Sequence, residues 1–292
     1  MSVYSLSDYA QDRFGKKLYK LSINGGFTCP NRDGKIDTRG CIFCDGGGAG
    51  DFAGNRLHSI KEQIEEQKRL IAKKLPKTKE VGYIAYFQAF TNTYAPIDVL
   101  RDKYMQVANR SDIDVISIAT RPDCLSKKVL ELLSELNKIK TVWIELGLQT
   151  MHETSAEYIR RGYSLDVYEE AVKNLKEIGI SHIITHLIIG IPFETEEMII
   201  ESVKYVVNSG ADGIKLQLLH VLKNTDLAKE YEAGKFNVLD EDEYISILKK
   251  CVEIIPKDMV VHRLTGDGNK KNLIAPIWSG NKKNILNKLQ GI

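Results

Sequence analysis

Three cysteines fall within sixteen residues, Cys29, Cys41 and Cys44, spaced as C-x11-C-x2-C. Thiolates are soft donors, suited to zinc or to iron–sulfur clusters. With only three of them, a [4Fe-4S] cluster keeps one iron without a protein ligand, open to a small molecule. A zinc site built on the same thiols would need a fourth donor, and His58 or Asp45 are the candidates. Cys251 belongs to the helical pattern Ile245, Leu248, Val252 and Ile255 and reads as a buried hydrophobe. Cys124 follows Arg121-Pro122-Asp123 and is a candidate for the active site.

Other polar residues cluster at the ends of apolar runs. Glu145 interrupts Val142-Trp143-Ile144, and period-two alternation puts it on one face with Gly147 and Gln149. A lone buried carboxylate is costly, so Glu145 needs a partner: a cofactor, or an internal bridge to Arg121 or Arg161. His182 and His186 also share a face, most simply as satisfied core or lumen histidines. Gln217, His220, Lys223-Asn224-Thr225 and the stretch from His262 to Asp267 gather further polar groups where a substrate would enter; His220 and His262 are the catalytic candidates beside Cys124. Gly46, Gly47, Gly48 and Gly50 lack the Lys and Ser/Thr of a P-loop. They read instead as backbone that passes close to a bulky cluster.

The elements that must position these groups recur about every thirty residues. Apolar, β-branched runs cover Leu18 to Ile23, Val81 to Phe87, Ile113 to Ala119, Thr141 to Gly147, His182 to Ile189 and Ile214 to Leu219. Such runs suit strands of a parallel sheet buried on both faces, and helical periodicity fills the intervals. Six βα units follow, in an open sheet or an incomplete barrel. Because the polar residues sit just after the strands, where barrels build their sites, the expected fold is α/β, a partial (β/α)6 barrel with a C-terminal extension. The expected division is a barrel over 1–267, with the cysteine loop at 24–57, and a basic tail over 268–292.

The chain has 292 residues, 43% hydrophobic, with 41 basic against 39 acidic side chains. A net charge of +2 is not the footprint of a nonspecific nucleic-acid binder. After Asp267, however, Lys270, Lys271, Lys282, Lys283 and Lys288 meet no acidic residue, a pattern able to grip phosphates. No apolar stretch reaches the roughly 18 residues of a membrane span. Five cysteines without disulfide spacing suit a cytoplasmic protein.

The wording Lys20-Leu21-Ser22-Ile23-Asn24-Gly25-Gly26-Phe27-Thr28-Cys29-Pro30-Asn31-Arg32-Asp33-Gly34, with Thr120-Arg121-Pro122-Asp123 and the Arg160-Arg161-Gly162 turn, resembles the Elp3-like branch of the radical S-adenosylmethionine (SAM) superfamily, and within it the YhcC/YtqA-type family. The resemblance implies a radical SAM barrel whose Cys29, Cys41 and Cys44 hold a [4Fe-4S] cluster, with Phe43 beside the last thiol. It implies a SAM pocket of Gln88 or Asn92 for the ammonium, Thr120 or Ser117 for the ribose, Glu145 and Gln149 on the fourth strand, Arg161 for the carboxylate and Gly190 at the adenine. The usual Gly-Gly-Glu segment is replaced here by Gln88-Ala89-Phe90, and the first glycine of the adenine segment is missing. The implied chemistry cleaves SAM to a 5′-deoxyadenosyl radical that takes a hydrogen from an unactivated C–H bond. The implied substrate is tRNA, at the C5 side chain of wobble uridine, where a carboxymethylaminomethyl group becomes aminomethyl; the implied electron donor is a flavodoxin or ferredoxin. A small metabolite or protein residue as substrate, or a zinc-bound module without redox chemistry, are the alternatives.

Overall fold

A computed structural model describes residues 3–48, 50, 52–76, 78–266, 268 and 271–289, the side chains of Lys282 and Lys283 excepted. Asp267 and Lys270 of the basic run lie outside the described residues. Seven parallel strands form one curled half-barrel sheet in sequential order: β1 (Lys17–Ile23), β2 (Val81–Phe87), β3 (Val115–Thr120), β4 (Thr141–Gln149), β5 (Ile183–Ile189), β6 (Gly213–Leu218) and β8 (Val260–Arg263). The six expected strands are all present. The seventh, β8, was not signalled by the sequence because it is only four residues long.

Helices α2 (Ile60–Ile71), α3 (Ile97–Ala108), α4 (Lys127–Ile139), α6 (Leu165–Glu177), α7 (Glu196–Asn208) and α9 (Glu241–Ile254) supply the crossovers. Short helices α5 (Glu153–Tyr158) and α8 (Asp226–Glu232) follow β4 and β7 (Val221–Leu222). Ser59 and Asp240 begin α2 and α9 with capping boxes closed by Glu62 and Glu243, which satisfies donors that a helix start leaves unpaired. One strand face packs outward on these helices through Leu21, Ile23, Ala85, Phe87, Ile116, Ile118, Val142, Ile144 and Leu146.

The other face is layered along the lumen, as period-two alternation requires. Lowest are Leu18, Ile84, Val115, Trp143 and Ile184, sealed by Ala10, Tyr9 and Phe14 of the N-terminal helix α1 (Leu6–Phe14). Two residues further along the strands come Lys20, Tyr86, Ser117, Glu145, His186 and Lys215. A hydrophobic plug therefore supports a charged layer.

Past β8 the chain returns. β9 (Leu273–Ala275) pairs antiparallel with β7, and Trp278 packs on Tyr244 with ring centroids 5.5 Å apart. Helix α10 (Lys282–Lys288) lies on α9, where Lys288 pairs with Glu241 at 3.2 Å and Asp242 at 3.1 Å. Lys288 is thus engaged by acids of its own chain.

Candidate active site

Above the charged layer, at the carboxyl ends of the strands, opens a cavity of about 640 Å³. Cys29, Cys41, Cys44 and Phe43 line it, as do Gln88, Thr120, Glu145, Gln149, Arg161 and His220. Residues as far apart in sequence as Cys29 and His220 are brought to one cavity, because each follows or ends a neighbouring strand.

The cysteine loop is held by its own polar groups. Arg32 donates to the carbonyls of Cys44 at 2.7 Å and Asp45 at 2.5 Å. Asn31 Nδ2 donates to the Arg160 carbonyl at 2.7 Å and stands 3.5 Å from Cys41 Sγ. Ile42 bonds the Ile159 carbonyl through its N–H and accepts from Leu227, which fixes the C-x2-C turn between α5 and α8. Gly48 has φ +61°, and a Cβ there would collide with the Phe90 ring. A Cβ on Gly50 would crowd Ala89 in the same way. The close approach these two glycines allow is thus to the loop after β2.

Burial pushes the Cys41 thiol up to about 12, and the neighbouring Cys44 adds to the rise while Arg121 opposes it. Burial also raises Cys44, against the pull of Arg32. Such thiols ionise only when positive charge arrives with their partner, as it does when iron or zinc is bound. Among the described residues no three His, Cys, Asp or Glu side chains converge on one metal ion. His58 is turned to Glu66 at 2.8 Å, and Asp45 accepts from the Gly47 N–H at 2.9 Å. The donor set therefore fits a group that spreads its charge over several metal atoms better than a single zinc.

The Radical SAM superfamily matches residues 29–206, more than half of the chain, and the Radical SAM C-terminal domain matches 211–291. The chain is a radical SAM enzyme. Its cofactors are a [4Fe-4S] cluster and SAM. YtqA of Bacillus subtilis is 45% identical over 97% of this chain and 87% of its own length, and YhcC of Escherichia coli is 36% identical over 92% and 85%. A tRNA uridine(34) acetyltransferase of Methanocaldococcus jannaschii is 28% identical over 52% of this chain, a region that makes up 28% of the acetyltransferase. The solved archaeal Elp3 of Methanocaldococcus infernus superposes on 94% of this radical SAM chain with a TM-score of 0.69 at 18% identity; the match spans 63% of Elp3. This places the fold in the Elp3-like branch.

In this radical SAM enzyme Glu145 reaches the cavity with both oxygens engaged. Oε1 accepts from Lys20 Nζ at 3.0 Å and Ser117 Oγ at 2.9 Å, and Oε2 from His186 Nε2 at 2.9 Å and from Lys215. Burial would raise its pKa, but Lys20, Lys215 and His186 outweigh that and hold the carboxyl well below its ordinary value. Its ion-pair partners are two lysines, not Arg121 or Arg161. Arg121 pairs with Asp123 at 2.8 Å, and Arg161 is spent on the carbonyls of Thr150 and Tyr163 and on Glu153. Thr120 shares a 2.6 Å hydrogen bond with Thr93. Gln149 has φ +71° where the β4–β5 register shifts, so a bulge turns the strand end. The ring of His220 lies against Gly266 and Gly268.

Several of the residues expected to touch cofactor or substrate do not line this cavity, among them Ser117, which donates to Glu145 within the charged layer. Asn92 is fully buried and donates to the carbonyls of Phe87 and Ala119, so that it ties the ends of β2 and β3. Gly190 ends β5 with φ +90° and packs against Leu239. His262 meets His182 at 2.7 Å beside Trp143, in the aromatic plug below the charged layer. Cys124 lines a second cavity of about 900 Å³ with Thr28, Pro30 and Tyr94, on the outer side of the cysteine loop. Sequence reasoning missed Lys20, Lys215 and Tyr86. Alternation alone puts Lys20 on one face with Leu18, and Tyr86 with Ile84, but nothing in the spacing pairs Lys20 or Lys215 with Glu145.

Proposed function

We propose that this enzyme acts on tRNA, converting the carboxymethylaminomethyl group on C5 of the wobble uridine to aminomethyl. The observation that carries the reading is the match of half the chain to a tRNA uridine(34) acetyltransferase, in a barrel of the Elp3 kind. Supporting it, the cavity holds thiols on one wall and Gln217, His220 and Arg263 on another. A wobble base lies in a single-stranded loop, so its removal from the stack into such a cavity costs little.

In this reading Cys29, Cys41 and Cys44 hold the cluster by three irons, and Arg32 and Asn31 keep the loop that carries them. Gln88, Thr120, Gly147 and Gln149 present polar groups to the amino acid and ribose portions of SAM. Glu145 and Arg161 would need to exchange an existing partner to touch it; their first task is to fix the walls. Gly190 offers backbone only. Once reduced by a flavodoxin or ferredoxin, the bound cluster supplies the electron that cleaves SAM and so yields the radical that removes a hydrogen from the substrate. The chain's part is orientation, and exclusion of water by the cysteine loop along the cavity wall and by the apolar plug at the base of the lumen.

Nucleoside profiling of tRNA from a deletion strain tests the reading. Carboxymethylaminomethyluridine should accumulate at the wobble position and disappear on complementation. An unchanged profile would move the substrate to a small metabolite or a protein residue.

A further inference from the structure

The charged layer of the lumen carries three basic side chains for one acid. Lys20, Lys215 and Arg263 gather about Glu145, and Lys20 and Lys215 share the face of Tyr86 at 4.6 and 4.7 Å from its ring centre. Strand register puts Arg263 beside Lys215. His186 adds no charge near neutrality, because burial and Lys215 hold it down to about 4 against the pull of Glu145. Glu145 has no oxygen left to give, as all four of its contacts are made within the layer.

Among the described residues, Arg263 is the member with no carboxylate partner. It lines the cavity half-buried, and among the described residues its polar partner is the uncharged Gln217, 3.0 Å from Nη1 to Oε1. Lys20, also on the cavity wall, has three hydrogens on Nζ and one carboxylate partner. Holding such cations out of water is expensive unless an anion joins them. Among the described residues no further carboxylate meets them, which leaves room for the anion of a ligand.

We infer that Lys20 and Arg263 form a subsite for a carboxylate of the substrate, the guanidinium contributing a two-pronged contact and the ammonium a point charge. The inference rests on the proposed reaction, whose carboxymethyl group brings one negative charge into the lumen. Burial holds the Lys215 amine well below its ordinary pKa against the pull of Glu145, so Lys20 and Arg263 are the cations that then face two carboxylates. The RNA product keeps the amine, and the carboxylate stays with the two-carbon fragment cut from it, so the subsite that draws the RNA in no longer holds it. A carboxylate of SAM has the same chemistry and is the rival occupant.

The experiment uses the cluster-loaded enzyme and two anticodon stem-loop RNAs, one with carboxymethylaminomethyluridine and one with its neutral methyl ester. Arg263→Gln should raise KM for the acid roughly tenfold to a hundredfold, the loss expected for a charged hydrogen bond. It should leave the ester's KM alone and SAM affinity within about twofold, while Arg263→Lys lies between. Equal effects on acid and ester, or weakened SAM binding with unchanged KM for the acid, overturns the subsite. If wild type turns over neither RNA, the tRNA reading fails and ligand-observed NMR with N-methylglycine on the SAM-bound enzyme decides the subsite. Binding lost in Arg263→Gln upholds it; equal binding in both, or none in wild type, overturns it.

Discussion

Asn31 Nδ2 lies 3.5 Å from Cys41 Sγ while it donates to the Arg160 carbonyl at 2.7 Å, so one amide links a thiol of the cysteine loop to the turn after α5. Hydrogen bonds to cluster sulfurs raise reduction potentials by easing the added negative charge. Asn31→Leu should keep its iron and shift the midpoint potential downward. Potentiometry followed by electron paramagnetic resonance checks this, and an unchanged potential with iron retained would remove Asn31 from that role.

Lys215 is buried at the centre of the lumen against Glu145. Removing one member of a buried pair leaves an uncompensated charge, so Lys215→Met should destabilise the fold by about 3 kcal/mol. Lys20 and His186 remain and keep the loss from being larger. Urea unfolding measures it; a change too small to resolve would mean the pair is solvated.

Acid should loosen the plug before it discharges Glu145. Burial holds His182 down to about 3 and His186 down to about 4, whereas both titrate near 6.5 once unfolded. Below 6.5 the unfolded chain binds more protons, so this stability is complete above that pH and drains as pH falls toward the folded values. The urea midpoint should therefore drop between about pH 7 and about pH 5, and drop less in His182→Gln. Parallel slopes would contradict a neutral, buried His182.

Gly48 and Phe90 are both left-handed, φ +61° each, and the Phe90 N–H bonds the Gly48 carbonyl at 2.9 Å. Gly48→Ala adds backbone strain and a clash with the ring, at a cost of about 1–2 kcal/mol. The cysteine loop should then lose iron faster to a chelator, read from the decay of its absorbance. An unchanged rate would show that this contact does not hold the loop.

Much of the fold was legible because short, continuous apolar runs such as Val81–Phe87, recurring between helical patterns, suit strands of a doubly covered sheet. β7 and β9 were not, since pairs of two and three residues leave no periodic trace. The N-terminal helix α1 was also unread: its capping box joins Ser5 to Asp8, but its apolar face is only Leu6, Tyr9, Ala10 and Phe14. At the site, alternation placed Glu145 in the lumen. Its partners stayed hidden because Lys20 lies 125 positions away and Lys215 70, a matter of barrel closure that spacing does not encode. Residues drawn from strand ends, such as Thr120, Gln149 and His220, reached the cavity. Asn92 and His262 are one step of register or one layer away, where the same residue types brace loops or fill the plug.

The central claim is that Cys29, Cys41 and Cys44 together hold the cluster that makes SAM reactive. Formation of 5′-deoxyadenosine by anaerobically reconstituted, dithionite-reduced protein measures it directly. Each of Cys29→Ala, Cys41→Ala and Cys44→Ala should abolish the product, while Cys124→Ala and Cys251→Ala, in the outer cavity and on the buried face of α9, should form it as wild type does. Full activity in Cys41→Ala, or a colourless wild-type protein with stoichiometric zinc, would contradict the account.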